Sequence, residues 1–301
     1  MHYRKLKKVK SLFLVIVLFV TVFCNASYST NYVPETPKPD YMDGVNLELM
    51  DSIFQRLVRY KKKEKIVQKV IDMDDSCEFA DCSTITKVLV GKDDELRKNK
   101  IAITIDDSFN DDYTEEILDV LDKHNCKATF YITHSLLKKN PDRVIEIAKR
   151  GHELGNHSMT HSPFKGLHSQ RKLWEITTLN LWVKTITDID MSTIRFPTGS
   201  YDDEAIVFSK VLNMYPIGWS INSNDYEFND LEKAYEHTIS QKAGSGDIVL
   251  LHNGYDFSAE LIDRLLTYWE AQGLSFTTVT DLVYTRDFTV KFGFQRETGK
   301  W

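Results

Sequence analysis

The stretch "GNHSMTH", residues 155–161, sets His157 and His161 four positions apart. At helical spacing both imidazoles share one face, where a single cation can reach the two rings. Histidines so spaced also occur on solvated turns. The pair gains meaning only if the chain also supplies a carboxylate ligand, a base, an acid and donors for an oxyanion. The candidates are Asp106 and Asp107 in "TIDDSFN", Arg195, Pro197 and Thr198 in "RFPTG", Asp225 and Tyr226 in "NSNDY", and Leu250 and His252 in "LLH". Singly, each has an ordinary reading: Asp106 and Asp107 as turn residues, Arg195 as a surface charge, His252 as a core histidine.

The elements around these residues give them a common place. From residue 100 the pattern alternates: strand "IAITID", helix "YTEEILDVLDKH", strand "KATFYIT", a helix opened by Pro141, and the short strand "HELGNH". A helix over about 170–187 follows, then "IRF", a helix from Asp202, one strand "PIGWSI" and a helix from Asp230. Strand "DIVLLH", a helix ending at Gly273 and strand "LSFTTV" complete the series. Such repetition predicts a parallel α/β domain of about seven strand–helix units, a distorted (β/α) barrel with its chemistry at the strands' C-terminal ends. Each candidate falls at such an end, a joint occurrence that the ordinary readings do not explain.

Composition agrees with an exported globular domain. Of the 301 residues, 42% are hydrophobic and 27% charged. Residues 1–26 pair a basic head (Arg4, Lys5, Lys7, Lys8, Lys10) with the apolar run Leu12–Phe23 and end at "CNA", which reads as a signal peptide. The run is short for a transmembrane helix of ~20 residues, so the protein is expected to be secreted or cell-envelope associated, and membrane-anchored if the signal stays on. Cleavage removes five basic and no acidic residues, taking the formal net charge from −6 to −11. An acidic protein is a poor general binder of nucleic acid; no dedicated protein partner is indicated either.

Residues 27–44, with Pro34, Pro37 and Pro39, read as a linker. Residues 45–97 read as a helical extension, with Leu49, Ile53, Leu57 and Tyr60 at helical spacing, and "TKVLVG" (86–91) as one added strand. The domain proper is expected over 98–285 and a tail over 286–301. Cys77 and Cys82 could close a small disulfide loop or remain thiols, and Cys126 reads as a buried spectator.

Five ordered motifs resemble the polysaccharide deacetylases, the carbohydrate esterases with the NodB homology domain. "TIDDS" resembles T-F-D-D-G, "HSMTH" matches H-S/T-x-x-H, "RFPTG" is similar to R-x-P-x-G, "NSNDY" to D-x-x-D-W and "LLH" to L-x-H. "GWSINSNDY" and the tail after "LLH" look most like the muramic-acid deacetylases of peptidoglycan, although those carry Asn where Asp107 stands. The resemblance implies one divalent metal, Zn2+ first with Co2+, Ni2+ or Fe2+ also suited, on Asp107, His157 and His161. It implies Asp106 as general base and His252 as general acid. Arg195 would orient the base and Asp225 the acid. Pro197, Thr198, Tyr226 and Leu250 would contact an N-acetylated glycan. The departures are Ser108 for glycine, Asn222 for aspartate and Tyr226 for tryptophan. Three other readings remain open: an acetyl-xylan-type O-deacetylase, a non-catalytic glycan binder, and a phosphoesterase, for which a second metal's ligands are missing.

Overall fold

The computed structural model describes residues 84–86, 96–107 and 113–283. The signal, linker and most of the expected extension, the Cys77–Cys82 question, Ser108 and the tail lie outside them. The chain divides into two compact units. The described part of the first is Leu167–Thr177, where Arg171 pairs with Glu175 at 2.9 Å and lies over the Trp174 ring. The second unit, Ser83–Gly166 and Thr178 onward, holds the sheet.

In that unit strands β1 (Lys100–Asp106), β2 (Thr129–Ile132), β3 (Glu153–Asn156), β4 (Thr193–Ile194), β5 (Tyr215–Pro216), β6 (Ile221–Asn222), β7 (Ile248–His252) and β8 (Ser275–Thr277) form one parallel sheet. Its order is β5-β4-β3-β2-β1-β7-β6, with β8 paired to the first half of β1. The first strand is central because its apolar run is buried on both faces: Ile101, Ala102, Ile103 and Ile105 are all within 1% of full burial. Helices α1 (Thr114–Lys123), α2 (His134–Lys139), α3 (Pro141–Lys149), α4 (Ser169–Thr187), α5 (Asp203–Val211), α6 (Asp225–Phe228), α7 (Leu231–Ser240), α8 (Ser258–Ala271) and α9 (Val279–Val283) connect the strands. Where the sequence carries a cap, the start is sharp: the side chains of Asn140, Asp202 and Asp230 accept from Arg143, Ala205 and Lys233 N–H.

One expected element is two. "PIGWSI" does not form one strand: Tyr215–Pro216 pairs with β4 at one edge of the sheet, and Ile221–Asn222 with β7 at the other. Ile217 N–H still donates to the Ile194 carbonyl at 2.7 Å, and beyond it the chain crosses the opening between the edges. Five Cα–Cα steps can span at most about 18 Å, so the edges must curl toward each other. The sheet is therefore an incomplete barrel. The strand expected at 86–91 is met only by an isolated parallel bridge one residue earlier, Ile85 to Ile217; residues 87–91 lie outside the described residues.

Register aligns the site. Asp106, the last residue of β1, is the Cα partner of both Tyr131 and His252, and Tyr131 is in turn the partner of Gly155. Gly155 is needed there because a Cβ would lie 2.5 Å from Tyr131 Cε1 and 2.9 Å from Thr193 Oγ1. Gly155→Ala should therefore destabilise the fold by about 1–3 kcal/mol through overpacking at Tyr131. Chemical denaturation measures it, and a loss below a few tenths would show that the ring moves aside freely.

Candidate active site

Arg195 follows β4 directly and is 1% exposed. Its Nη1 donates to Asp106 Oδ1 and to Thr104 Oγ1, both at 2.7 Å, and its Nη2 to the Gly218 carbonyl at 2.8 Å. The guanidinium lies 4.3 Å from the centroid of the Tyr131 ring, a cation–π contact in a desolvated place. Burial by itself pushes the Asp106 carboxyl up. The charge of Arg195, with His157 and His252, outweighs it and holds Asp106 below the usual carboxylate value. Asp106 is thus a buried, ionised proton acceptor.

The histidine pair is not helical. β3 ends at Asn156, and the chain turns through Ser158 (φ 70°) and His161 (φ 57°), both left-handed. Asn156 Oδ1 accepts Ser158 N–H at 2.7 Å, and Ser158 Oγ accepts His161 N–H at 3.0 Å. This folded turn, rather than a helix face, brings the rings together edge-on with centroids 4.8 Å apart. Side chains that tie down their own backbone outcompete the helix that the spacing suggests.

His157 Nδ1 lies 2.8 Å from the Arg195 carbonyl. A carbonyl only accepts, so Nδ1 carries the proton and Nε2 presents a lone pair. That lone pair faces Asp106 Oδ2 at 3.4 Å, while burial, opposed by the Asp106 charge, holds the His157 pKa below the ordinary value. Two acceptors facing at this distance suit a cation beside them, and the donor chemistry of two imidazoles with a carboxylate fits a borderline divalent metal. Asp107 is buried, and Thr133 donates to its Oδ2 through both the backbone N–H (3.2 Å) and the hydroxyl. Among the described residues no group of three or more His, Cys, Asp or Glu is arranged so that it could hold a metal. The structure pairs the two histidines and sets Asp107 at the end of β1, without drawing the three into one cluster.

Opposite stands His252, whose Nδ1 is 2.7 Å from Asp225 Oδ1. Asp225 also accepts the backbone N–H of His252 at 2.8 Å and of Tyr226 at 2.8 Å. Burial pulls His252 down, but the hydrogen bond and charge of Asp225, helped by Asp106, carry its pKa above the ordinary value. Asn222 accepts Asn224 N–H at 3.0 Å, which sets the left-handed residue (φ 50°) ahead of Asp225. This job needs one acceptor and no charge, which explains how Asn serves where the family pattern has Asp. The half-exposed Tyr226 meets the His252 ring edge-on, centroids 5.2 Å apart.

Leu250 is buried two residues before His252, on the same face of β7. Pro197 opens a 3₁₀ turn, Pro197–Gly199, and Thr198 sits in it exposed at φ 58°. At a turn start backbone N–H groups have no partner within the turn, which leaves Thr198 N–H suited to an anion. Sequence reasoning missed Tyr131, Thr104 and Thr133. Thr133 stands just past the end of β2, the same position in its unit as the other candidates, and that signal could have found it; nothing marks Tyr131 within its apolar run.

With this geometry, likeness to known proteins becomes informative. A polysaccharide deacetylase family profile matches residues 93–217. The peptidoglycan-N-acetylmuramic acid deacetylase PdaA of Bacillus subtilis is 30% identical over 195 residues, covering 64% of this chain and 74% of that protein. The chain belongs to the polysaccharide deacetylase family. A peptidoglycan-N-acetylglucosamine deacetylase of Bacillus cereus is also 30% identical over 192 residues, 61% of this chain and 87% of that one. Among solved structures, BA3943 of Bacillus anthracis, a CE4 family pseudoenzyme, superposes with a TM-score of 0.61 at 25% identity, covering 67% of this chain and 69% of that one. Family membership thus brings the fold and the deacetylase ancestry, and turnover must rest on the residues themselves.

The Asp225–His252 pair yields a pH prediction. A pKa raised in the folded protein keeps the imidazolium present to higher pH. Asp225→Asn removes the main raising influence, so His252 should titrate at lower pH, and the alkaline limb of any activity needing His252 protonated should move the same way. NMR titration of the His252 ring reads this directly, and an unmoved midpoint would remove Asp225 from that role.

Proposed function

We propose that this protein hydrolyses the acetamide of an N-acetylated glycan, peptidoglycan- or chitin-like, to free amine and acetate. The observation that carries the reading is the opposite poise of two register neighbours: the pKa of Asp106 on β1 is held below its ordinary value and that of His252 on β7 above it. An amide needs both, since water must lose a proton to attack and the amine must gain one to leave. Asp106, oriented by Arg195, takes the proton from the attacking water. Thr198 N–H donates to the carbonyl oxygen as it becomes anionic. His252, oriented by Asp225, protonates the departing nitrogen. Leu250 and Pro197 shape the acetyl pocket, and Tyr226 forms an aromatic wall narrower than tryptophan would give.

Asp107, His157 and His161 would hold one divalent cation, Zn2+ first. When bound, it polarises the acetyl carbonyl and lowers the pKa of water toward ~7. The names of the relatives support a glycan substrate. The basic head and apolar run at residues 1–26 support export; among the described residues no helix is long and apolar enough to cross a membrane. The likeness to a pseudoenzyme favours one second reading, glycan binding without turnover.

Acetate release from peptidoglycan, chitooligosaccharides and acetylated xylan, with and without chelator, separates the readings. Acetate should come from the N-acetylated substrates and cease with chelator; binding with no acetate from any polymer would establish the second reading. Asp106→Asn should lower kcat by about 10²–10⁴-fold while bound metal stays near one equivalent. His157→Ala should instead lose the metal, and full metal content in that variant would overturn the ligand assignment.

A further inference from the structure

Beside Thr198 lies a cavity of about 280 Å³ whose walls include Phe196, Tyr201 and Trp219. Its rim is closed by a segment that precedes the residues matched by the family profile. Ile85 N–H donates to the Pro216 carbonyl at 2.8 Å, and Gly218 N–H to the Ile85 carbonyl at 2.9 Å. This bridge sets Thr84 and Thr86, two apart and so on one face, into the cavity lining. Gly218 permits the approach, because a Cβ there would lie 2.8 Å from Thr84 Oγ1 and 2.9 Å from Thr86 Cγ2.

We propose that this cavity is a subsite for one uncharged pyranose ring, the neighbour of the acetylated sugar in the glycan chain; the proposal rests on the deacetylase reading above. Three observations support it. The cavity shares Thr198 with the catalytic end of the barrel, so a ring seated in it would lie next to one bound there. Its volume lies at the low end of small-molecule sites, about 300–1,000 Å³, which admits a single ring. Its chemistry suits a sugar: aromatic walls for the C–H faces, and for the ring's hydroxyls those of Thr86, Thr84 and Tyr201, the last two only 3.5 Å from each other in a long contact that a ligand hydroxyl can replace.

Among the described residues, no Lys, Arg or His lines the cavity. The guanidinium of Arg195, 5.7 Å from the Trp219 ring, is buried and paired with Asp106. A carboxylate entering the cavity would be stripped of water without a counter-charge, which is costly. The subsite therefore favours an N-acetylglucosamine-type ring over one bearing an acidic substituent.

The test is calorimetric titration of the full chain, under chelator to prevent turnover, with the neutral trimer of N-acetylglucosamine. Thr86→Trp fills the cavity and should weaken binding by more than about tenfold. Thr84→Val with Thr86→Val keeps the shape and removes the hydroxyls, with an expected loss of roughly 2- to 10-fold for each hydroxyl engaged. This milder pair preserves the test if the tryptophan variant does not fold. Wild-type affinity in the folded variants overturns the subsite, and N-acetylmuramic acid losing as much affinity as the trimer overturns its preference for a neutral ring. If the wild-type protein releases acetate from glycans while the variants bind normally, only the subsite falls. If it neither binds nor deacetylates any N-acetylated glycan, the deacetylase reading falls and takes the subsite with it.

Discussion

The buried guanidinium of Arg195 is the constraint around which the end of the barrel is arranged. A cation that is 1% exposed must recover its hydration from the protein, and an unpaired one would cost several kcal/mol. Asp106, Thr104 and the Gly218 carbonyl supply that recovery, with the Tyr131 ring stacked against the plane. Each partner has a sequence consequence. Thr104 places a hydroxyl inside the buried apolar run Ile101–Ile105, and Gly155 stays without a side chain so that Tyr131 can lean across it. The same residue reaches the histidines through its backbone, since the Arg195 carbonyl fixes which nitrogen of His157 is bare. One position therefore sets the charge of the proposed base and the tautomer of a proposed ligand.

Burial alone would drive Asp106 and His252 toward their neutral forms, and an uncharged pair could not act as base and acid in this order. What separates them is local partnership: Arg195 next to the carboxylate, Asp225 next to the imidazole. Each also supports the other, because the charge of Asp106 raises His252 and that of His252 lowers Asp106. Register places them as neighbours on adjacent strands, so the coupling is built into the hydrogen-bonded sheet rather than into mobile loops.

Much of this was legible in the sequence, for identifiable reasons. Helices announced by Pro141, Asp202 or Asp230 begin at those residues, and the buried strands β1 and β7 show as continuous apolar runs. The placement of candidates at strand ends followed from those elements. Three features were not legible. The fourfold spacing of His157 and His161 implied a helix, but Asn156 and Ser158 divert the backbone with their own hydrogen bonds. "PIGWSI" looked like one strand because periodicity is blind to which neighbour a strand will find; only the curl of the sheet sends its halves to opposite edges. Tyr131 was invisible for a related reason, since its role depends on what crosses above it.

A second buried carboxylate shows why position in the barrel matters as much as perturbation. Glu153 opens β3, about 13 Å of strand before His157, at the opposite end of the sheet. It accepts from Thr129, Thr193 and Thr280 hydroxyls and from Thr280 N–H. Burial nevertheless pushes its pKa up, because hydroxyls and an amide lack the charge that Arg195 brings to Asp106. Its partners lie on β2 and β4 and at the start of α9, so the carboxyl ties the last helix to the barrel floor. Glu153 is fully satisfied by neutral donors, with no acid to answer it, and reads as a structural pin. Asp106 faces a cation, a bare imidazole nitrogen and a histidine whose pKa is raised. The difference between a buried carboxylate that holds a fold and one that can move a proton lies in those charged neighbours, not in burial.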